Sequence, residues 1–157
     1  MNVDAAWKPS PPSTGIGAMC RDSSGRVVGA SSTFFDMDVK NPIAELIAIL
    51  EGMKLAKALR CEVVEVESDS VQAVKLILKE QEIWGEVEAV VEEIWQKSLE
   101  FSRITFSHIS MDVNNVADII AKKARMDRIC EPWVESYPGW LVSSIEADHF
   151  SFAHVAV

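Results

Sequence analysis

Apolar and polar residues alternate with the period of a β-strand in three segments near the start of the chain, residues 1–7, 15–21 and 26–35. Successive side chains of a strand point to opposite faces, so this period predicts strands. Residues 22–25, DSSG, join the second and third segments and favour a tight turn. Residues 8–13, KPSPPS, predict a loop, because proline lacks the N–H donor of a central strand. The pattern therefore predicts an antiparallel three-stranded meander.

The next segment has the period of a helix. Asn41 and Pro42 suit the N-cap and first position of a helix that runs to residue 60. Apolar residues three and four positions apart form its predicted core-facing stripe: Ile43, Ile47, Leu50 and Met53. Glu45 lies in the first turn, beside this stripe. The helix therefore begins with an acid next to its buried side.

Residues 61–70, CEVVEVESDS, predict a central strand. Val63, Val64 and Val66 place β-branched residues on both of its faces, so we expect both faces to be buried. The strand ends on polar and acidic residues, with Asp69 at its carboxyl edge. Ligands of open α/β sheets bind in the crevice outside the carboxyl ends of the strands. We therefore expect Asp69 to face a binding crevice.

The remaining periodic segments predict helices at residues 70–79, 84–101 and 116–126 and a strand at residues 102–110. In the second of these helices, residues at helical spacing are expected to pack against the core: Trp84, Val87, Val91, Ile94 and Trp95. Both tryptophans are interpreted as packing residues. This order of elements predicts an α/β fold, in which a mixed five-stranded sheet carries helices on both faces.

Two parts of the chain differ in the strength of their pattern. Residues 1–127 are predicted to form the domain. In residues 128–157 the pattern is interrupted by Pro132, Pro138 and Gly139, and this C-terminal tail is expected to pack on the domain or extend it.

Composition limits the class of protein. The chain has 157 residues, 48% hydrophobic and 25% charged, which is typical of one globular domain. No apolar run approaches the roughly 20 residues of a membrane span, and we expect no membrane partner. Cys20, Cys61 and Cys130 are far apart and odd in number, so reduced thiols and an intracellular location are expected, with nucleus, cytoplasm and organelle left open.

The charge is unfavourable for a protein that binds nucleic acid. The formal net charge is −9, whereas lysine and arginine contacts with phosphate supply most non-specific affinity. Residues 80–100 contain seven glutamates and a single lysine, while basic residues gather near the end of the last predicted helix: Lys122, Lys123, Arg125 and Arg128. We expect a polarised surface and weak affinity.

Four carboxylates occupy positions that the predicted fold brings to one edge of the sheet: Asp4, Glu45, Asp69 and Asp118. Without a counter-ion, such a cluster would raise its own pKa values and destabilise the fold. Oxygen-only ligands suit Mg²⁺ or Mn²⁺ rather than Zn²⁺. Two such ions about 4 Å apart can stabilise the attacking and leaving oxygens of a phosphodiester displacement. The four acids are therefore the predicted metal ligands and catalytic residues.

The ordered motifs resemble a known family. They are NVDAAW, GIGAMCRDSSGRVVGA, NPIAELIAILEGMKLAKAL, EVVEVESDS and NNVADIIAKKA, with a PGWL segment in the tail. Together they resemble the ribonuclease H domain, most closely its plant reverse-transcriptase-like branch derived from retroelements. The resemblance implies the sheet order 3-2-1-4-5, two Mg²⁺ ions that Mn²⁺ can replace, and endonucleolytic hydrolysis of the RNA strand of RNA/DNA hybrids.

The same resemblance places the family's four acidic ligands at Asp4, Glu45, Asp69 and Asp118. Four further residues are expected to contact substrate: Asn41, Ser70, Asn114 and Lys122.

The chain departs from the family pattern at three places. Ala5 replaces the glycine that usually follows the first aspartate. The loop before the last aspartate, SMDVNN, has no histidine, and His108 on the preceding strand is interpreted as structural. An acidic segment, residues 80–100, replaces the basic region that some members use to hold hybrid, so a further domain or partner protein is expected to supply affinity.

Two alternatives to the endonuclease stay open. One is a domesticated retroelement domain, weakly active or inactive, that serves as a nucleic-acid-binding or protein-interaction module. The other is an exonuclease with the same carboxylates.

Overall fold

The computed structural model describes the backbone of residues 1–155 and the side chains of residues 1–148. The strands are β1 (Asn2–Pro9), β2 (Pro12–Arg21), β3 (Val27–Phe35), β4 (Val63–Ser68), β5 (Arg103–His108) and β6 (Glu131–Trp133). The helices are α1 (Ile43–Ala58), α2 (Val71–Ile77), α3 (Gly85–Ser98), α4 (Asn115–Asp127) and α5 (Gly139–Val155), with a 3₁₀ turn at Met111–Val113.

The strands form one mixed sheet in the order β5-β4-β1-β2-β3-β6. β1 pairs antiparallel with β2 and parallel with β4, and β4 pairs parallel with β5. The first five strands confirm the order 3-2-1-4-5, but the sheet has six strands instead of five. The sixth pairs antiparallel with β3, with Trp133 opposite Ala30. A three-residue strand that contains proline is too short to show alternation, so the sequence pattern did not reveal it.

The predicted loop at residues 8–13 is wrong, because β1 and β2 continue into a tight hairpin. Lys8 pairs with Ser13, and Pro9 lies opposite Pro12. The prolines occupy the last pair of the ladder, where a missing N–H removes no interior hydrogen bond. The turn at residues 22–25 is confirmed, since the Gly25 N–H donates to the Asp22 carbonyl over 2.9 Å.

Helix α1 packs on one face of the sheet and is buried more widely than a single stripe. Leu46, Ile49 and Met53 are fully buried, whereas Ile43 and Ile47, predicted to face the core, are only half-buried. Gly52 lies against Val3 of β1, where a Cβ atom would approach the valine side chain to 2.5 Å. The first strand and α1 are therefore in close contact below the predicted site.

Helix α4 covers the opposite face, but only over β1, β2 and β3. β4 is therefore uncovered on that side: Val63, predicted to be buried, is 56% exposed, while Val64 and Val66 pack on the α1 side. Trp84, predicted to pack, is 46% exposed. Trp95 is half-buried and its indole N–H donates to the Ile77 carbonyl.

Two glycines of β2 let α4 lie directly on the sheet. A Cβ atom at Gly17 would collide with the Ala117 carbonyl oxygen, and one at Gly15 with the Ala121 carbonyl oxygen. The absence of side chains at these positions allows the helix backbone to approach the strand. This approach places the first turn of α4, with Asp118, beside β1.

The chain after α4 packs on the same face. Trp133 and Leu141 form a small core with Met19, Ala30 and residues of α4. Arg21 at the end of β2 forms a 2.5 Å ion pair with Asp148 of α5. Residues 149–157 fall outside the described side chains, so the expected packing of the tail is described only up to residue 148. Among residues 1–155, no helix is long and apolar enough to cross a bilayer.

Candidate metal centre

Three carboxylates meet at the carboxyl end of β4. Parallel pairing sets Val3 opposite Ser68, so Asp4 and Asp69, the next residue on each chain, lie side by side. Glu45, in the first turn of α1, reaches the same point from one face of the sheet. Asp4, Glu45 and Asp69 each offer an oxygen, and these atoms all lie within 4.8 Å of one another. Spacing of this kind allows one cation to contact all three.

Burial makes this cluster costly without a cation. Asp4 and Glu45 are each only 5% exposed. The Glu45 Oε2 atom is buried and has no hydrogen-bond partner among the described residues. An unpaired buried carboxylate charge is strongly disfavoured, so a bound cation or a proton would stabilise this oxygen. The donor set is entirely carboxylate oxygen, which suits Mg²⁺ and Mn²⁺.

The same burial shifts the acidities of the cluster. Desolvation, reinforced by the charge of Asp69, raises the pKa of Asp4 to about 8. Desolvation and the charge of Asp4 raise the pKa of Glu45 to about 9. Burial also raises the pKa of Asp69, although a hydrogen bond from Asn114 opposes this shift. Without a cation, burial and mutual repulsion therefore favour the protonated form of the Asp4 and Glu45 pair.

Asp118, the fourth predicted ligand, lies next to this trio rather than within it. It sits in the first turn of α4, and its interaction with Asp4 contributes to the raised pKa of that carboxyl. Its Oδ2 atom accepts a 2.8 Å hydrogen bond from Lys122 Nζ. Lys122, predicted to contact substrate, is therefore engaged with Asp118, and this contact raises the pKa of the lysine.

Two other residues predicted to contact substrate have internal partners. Asn114 is 1% exposed and donates from Nδ2 to the Val3 carbonyl, so the structure assigns it to the support of the site rather than to a surface contact. The Ser70 hydroxyl caps α2 by accepting from the Ala73 N–H. Asn41, the remaining residue predicted to contact substrate, is exposed in the turn before α1. The N-cap of α1 is Pro42 and not Asn41 as predicted.

His108 is a residue whose place at the site the sequence pattern did not reveal. It is the last residue of β5 and pairs with Ser68, one residue before Asp69. It is exposed, and its charge lowers the pKa of Asp69 against the larger effect of burial. The interpretation of His108 as a structural residue stays a prediction, and the structure places this residue near Asp69 at the edge of the site. Its position at the carboxyl end of a parallel strand was the available signal.

Comparison with known proteins gives the family of this chain. The model of a family described as reverse transcriptase-like matches residues 2–124. The chain belongs to this family. As a reverse transcriptase-like protein, it carries Asp4, Glu45, Asp69 and Asp118 within the matched segment, whereas β6 and α5 lie beyond it.

Solved structures show which fold this family member has. Ribonuclease H1 from Halobacterium salinarum superposes with a TM-score of 0.75 at 18% identity, over 81% of this chain and 96% of its own. The N-terminal ribonuclease H domain of a Mycobacterium tuberculosis protein gives 0.73 at 21% identity, over 81% and 91%. A ribonuclease H1 isolated from compost, crystallised with an RNA/DNA hybrid, gives 0.71 at 20% identity, over 80% and 94%. The fold is therefore that of ribonuclease H. Comparison with curated protein sequences gives no match.

Proposed function

We propose that this reverse transcriptase-like domain is a metal-dependent endonuclease that hydrolyses the RNA strand of RNA/DNA hybrids. The observation that carries the proposal is the trio of Asp4, Glu45 and Asp69 at the carboxyl end of β4, in which Asp4 and Glu45 are buried and one Glu45 oxygen has no hydrogen-bond partner among the described residues. A structure of this fold, the compost ribonuclease H1, contains bound hybrid. Carboxylates spaced to hold a divalent cation, on a fold that binds hybrid in that relative, together support this reaction.

In the proposed reaction, the carboxylates of the protein hold the cations at fixed positions. Asp4, Glu45 and Asp69 would bind one ion, and Asp118 would join Asp4 at a second. When bound, two such ions stabilise the attacking and leaving oxygens of an in-line displacement at phosphorus. Binding requires Asp4 and Glu45 to release the protons that burial favours. Lys122 has to leave Asp118, after which its ammonium group is available to a substrate phosphate.

Substrate affinity is the weak part of this protein. Helix α3 presents acids in its first turn, Glu86 and Glu88, on the acidic segment. In the basic segment that follows Asp118, Lys123 pairs with Asp127 and Arg128 lies over the Phe34 ring. The net charge of −9 opposes phosphate contacts, which supply most affinity for nucleic acid. We propose that a further domain or partner protein holds the hybrid, and that the enzyme reads backbone shape and 2′-hydroxyl groups.

A cleavage assay tests the proposal. The protein is incubated with an RNA/DNA hybrid that is labelled internally in the RNA strand, with Mg²⁺, with Mn²⁺ or with EDTA. We expect internal cleavage that depends on the ion and that spares RNA/RNA and DNA/DNA duplexes. Cleavage equal to that of the Asp69→Asn variant would refute the proposal, and products released only from ends would indicate an exonuclease.

His108 is expected to assist the reaction at the departing oxygen. Its imidazole lies at the exposed edge of the site, where a proton can be delivered to a leaving group. Replacement by alanine should lower kcat by about 10²-fold, the lower end of the range for general acid catalysis. Mn²⁺ affinity should stay within roughly twofold, because His108 is not among the buried ligands. Steady-state kinetics and calorimetry measure both, and an unchanged kcat would exclude this role.

The second candidate is a binding module without catalysis. The net charge of −9 and the engaged lysines favour it over an efficient nuclease. It predicts no cleavage under any ion while the fold and hybrid or protein binding persist. The same assay, combined with a calorimetric Mn²⁺ titration, separates the two candidates.

A further inference from the structure

A buried amide connects the first strand to the metal centre. Asn114, the residue before α4, is 1% exposed. Its Nδ2 atom donates to the Val3 carbonyl over 2.9 Å, and its side chain also forms a hydrogen bond with Asp69 that favours the charged carboxylate. A side-chain amide has two N–H donors, and these two acceptors use both of them. Asn114 therefore presents its NH₂ group toward the acids.

The remaining atom of that amide, Oδ1, accepts from Asn2. The Asn2 Nδ2 atom donates to it over 3.3 Å from the start of β1. An amide turned by half a rotation would point its oxygen at the Val3 carbonyl and the Asp69 carboxylate, which are both acceptors. It would also point its NH₂ group at the NH₂ group of Asn2. The Asn2 contact thus favours the same orientation that Val3 and Asp69 require.

We propose that Asn2 is a positioning residue for the metal centre, which fixes the amide of Asn114 so that its N–H groups hold Asp69 in place to bind a cation. The proposal rests on the proposed function. It concerns an uncharged residue outside the four acids. Partners of this kind, one step removed from the ligands, typically alter metal affinity 10–100-fold when they are replaced.

The surroundings of Asn2 make it a suitable position for substitution. Its side chain is half-buried and borders a cavity of about 510 Å³ that Met19, Arg21, Ser24 and Asn114 also line. A change of polarity at this residue therefore does not require repacking of a tight core. Ser24 lines the same cavity and makes no hydrogen bond with Asn114 among the contacts of the described residues, so Ser24→Ala is a matched control.

The experiment compares three variants of the full chain. Asn2→Asp keeps the size of the side chain but can only accept hydrogen bonds, so it favours an Asn114 amide turned with its NH₂ group toward residue 2. Asn2→Leu removes the donor and leaves the amide oxygen without that partner, and Asn2→Gln restores a donor. The first readout is the pair of Asn114 side-chain N–H signals in the ¹⁵N NMR spectrum of the metal-free protein. The second is the Mn²⁺ affinity from calorimetry.

We expect Asn2→Asp to shift or broaden the Asn114 signals and to weaken Mn²⁺ binding at least about 10-fold. Asn2→Leu should have a smaller effect in the same direction, and Asn2→Gln and Ser24→Ala should match the wild-type chain. Unchanged Asn114 signals in Asn2→Asp would overturn the proposal. If the wild-type chain binds Mn²⁺ and Asn2→Asp binds it equally well, the proposal is overturned too. If the wild-type chain binds no Mn²⁺, the proposed function fails by itself, whereas the NMR signals of the metal-free protein still decide the role of Asn2.

Discussion

Replacing Asp4 by asparagine is expected to abolish hybrid cleavage, with a loss of at least about 10³-fold in kcat/KM, equivalent to roughly 4 kcal/mol of transition-state stabilisation. Asp4 is the residue that both predicted cation positions share, because it lies with Glu45 and Asp69 on one side and interacts with Asp118 on the other. An amide of the same shape keeps the packing but removes the charge. The variant should therefore fold normally and fail to bind the ion.

The measurement has two parts. Initial rates of hybrid cleavage at saturating Mg²⁺ give kcat/KM, and the shift in melting temperature on addition of Mg²⁺ gives binding without reference to activity. The control is Asp112→Asn, which changes an exposed carboxylate in the 3₁₀ turn and should leave both quantities unaltered. Activity within tenfold of the wild-type rate in Asp4→Asn would exclude this residue as a shared ligand.

The metal-free protein is expected to lose stability as the pH rises from about 4.5 to about 9. Burial raises the pKa of Asp4 and of Glu45, so the folded state binds protons that the unfolded chain has released. Groups whose pKa is raised on folding stabilise the fold fully below their unfolded pKa, and this contribution is lost as the pH passes through the folded value. Glu45→Gln removes one such group and should raise the free energy of unfolding at pH 8 by about 2–4 kcal/mol.

Chemical denaturation in EDTA at pH 5, 7 and 9 measures this effect. The wild-type chain should be least stable at pH 9, and the difference between Glu45→Gln and wild type should grow with pH. Glu86→Gln, at an exposed position of α3, is the control and should change the free energy of unfolding by less than about 0.5 kcal/mol. A wild-type chain whose stability rises from pH 5 to pH 9 in EDTA would contradict the burial of these carboxyls. Mg²⁺ at pH 8 should stabilise the wild type and leave Glu45→Gln unchanged.

The positions of Asp4 and Asp69 followed from the sequence because both depend on strand order and strand ends. Once β1 and β4 are recognised as neighbours, their side-by-side placement is a matter of register. The burial of Glu45 did not follow, since a 16-residue helix buried around most of its circumference shows no single apolar stripe. Asp118 was predicted as a ligand too, and it lies beside the trio, where it interacts with Asp4 and accepts a hydrogen bond from the lysine one turn later. Such a pairing depends on side-chain geometry that spacing alone does not specify.

The predicted sheet was right in the order of its strands and incomplete at its edges. The long alternating segments identified β2 and β3, whereas β6 has three residues and is stabilised by pairing with β3 rather than by its own pattern. The sequence also did not reveal that α4 covers only part of the sheet, because the strands that a helix covers depend on the tertiary structure. This partial coverage explains why Val63 is exposed, although the sequence pattern predicts that its strand is buried on both faces. The place of His108 at the site depended on the exact last residue of β5, which periodicity does not define.

The unpartnered oxygen of Glu45 has a consequence for the history of this chain. A carboxyl that lowers the stability of the metal-free fold is a position where many substitutions would be beneficial if the ion had no role, because mutation readily finds stabilising replacements. A lineage released from the need for the ion would be expected to exchange Glu45 for an apolar or amide side chain early, while the glycines under α4 would persist as requirements of the fold. Glu45 is therefore the position to follow in related chains, where glutamate is expected to persist with the ion and to be replaced without it.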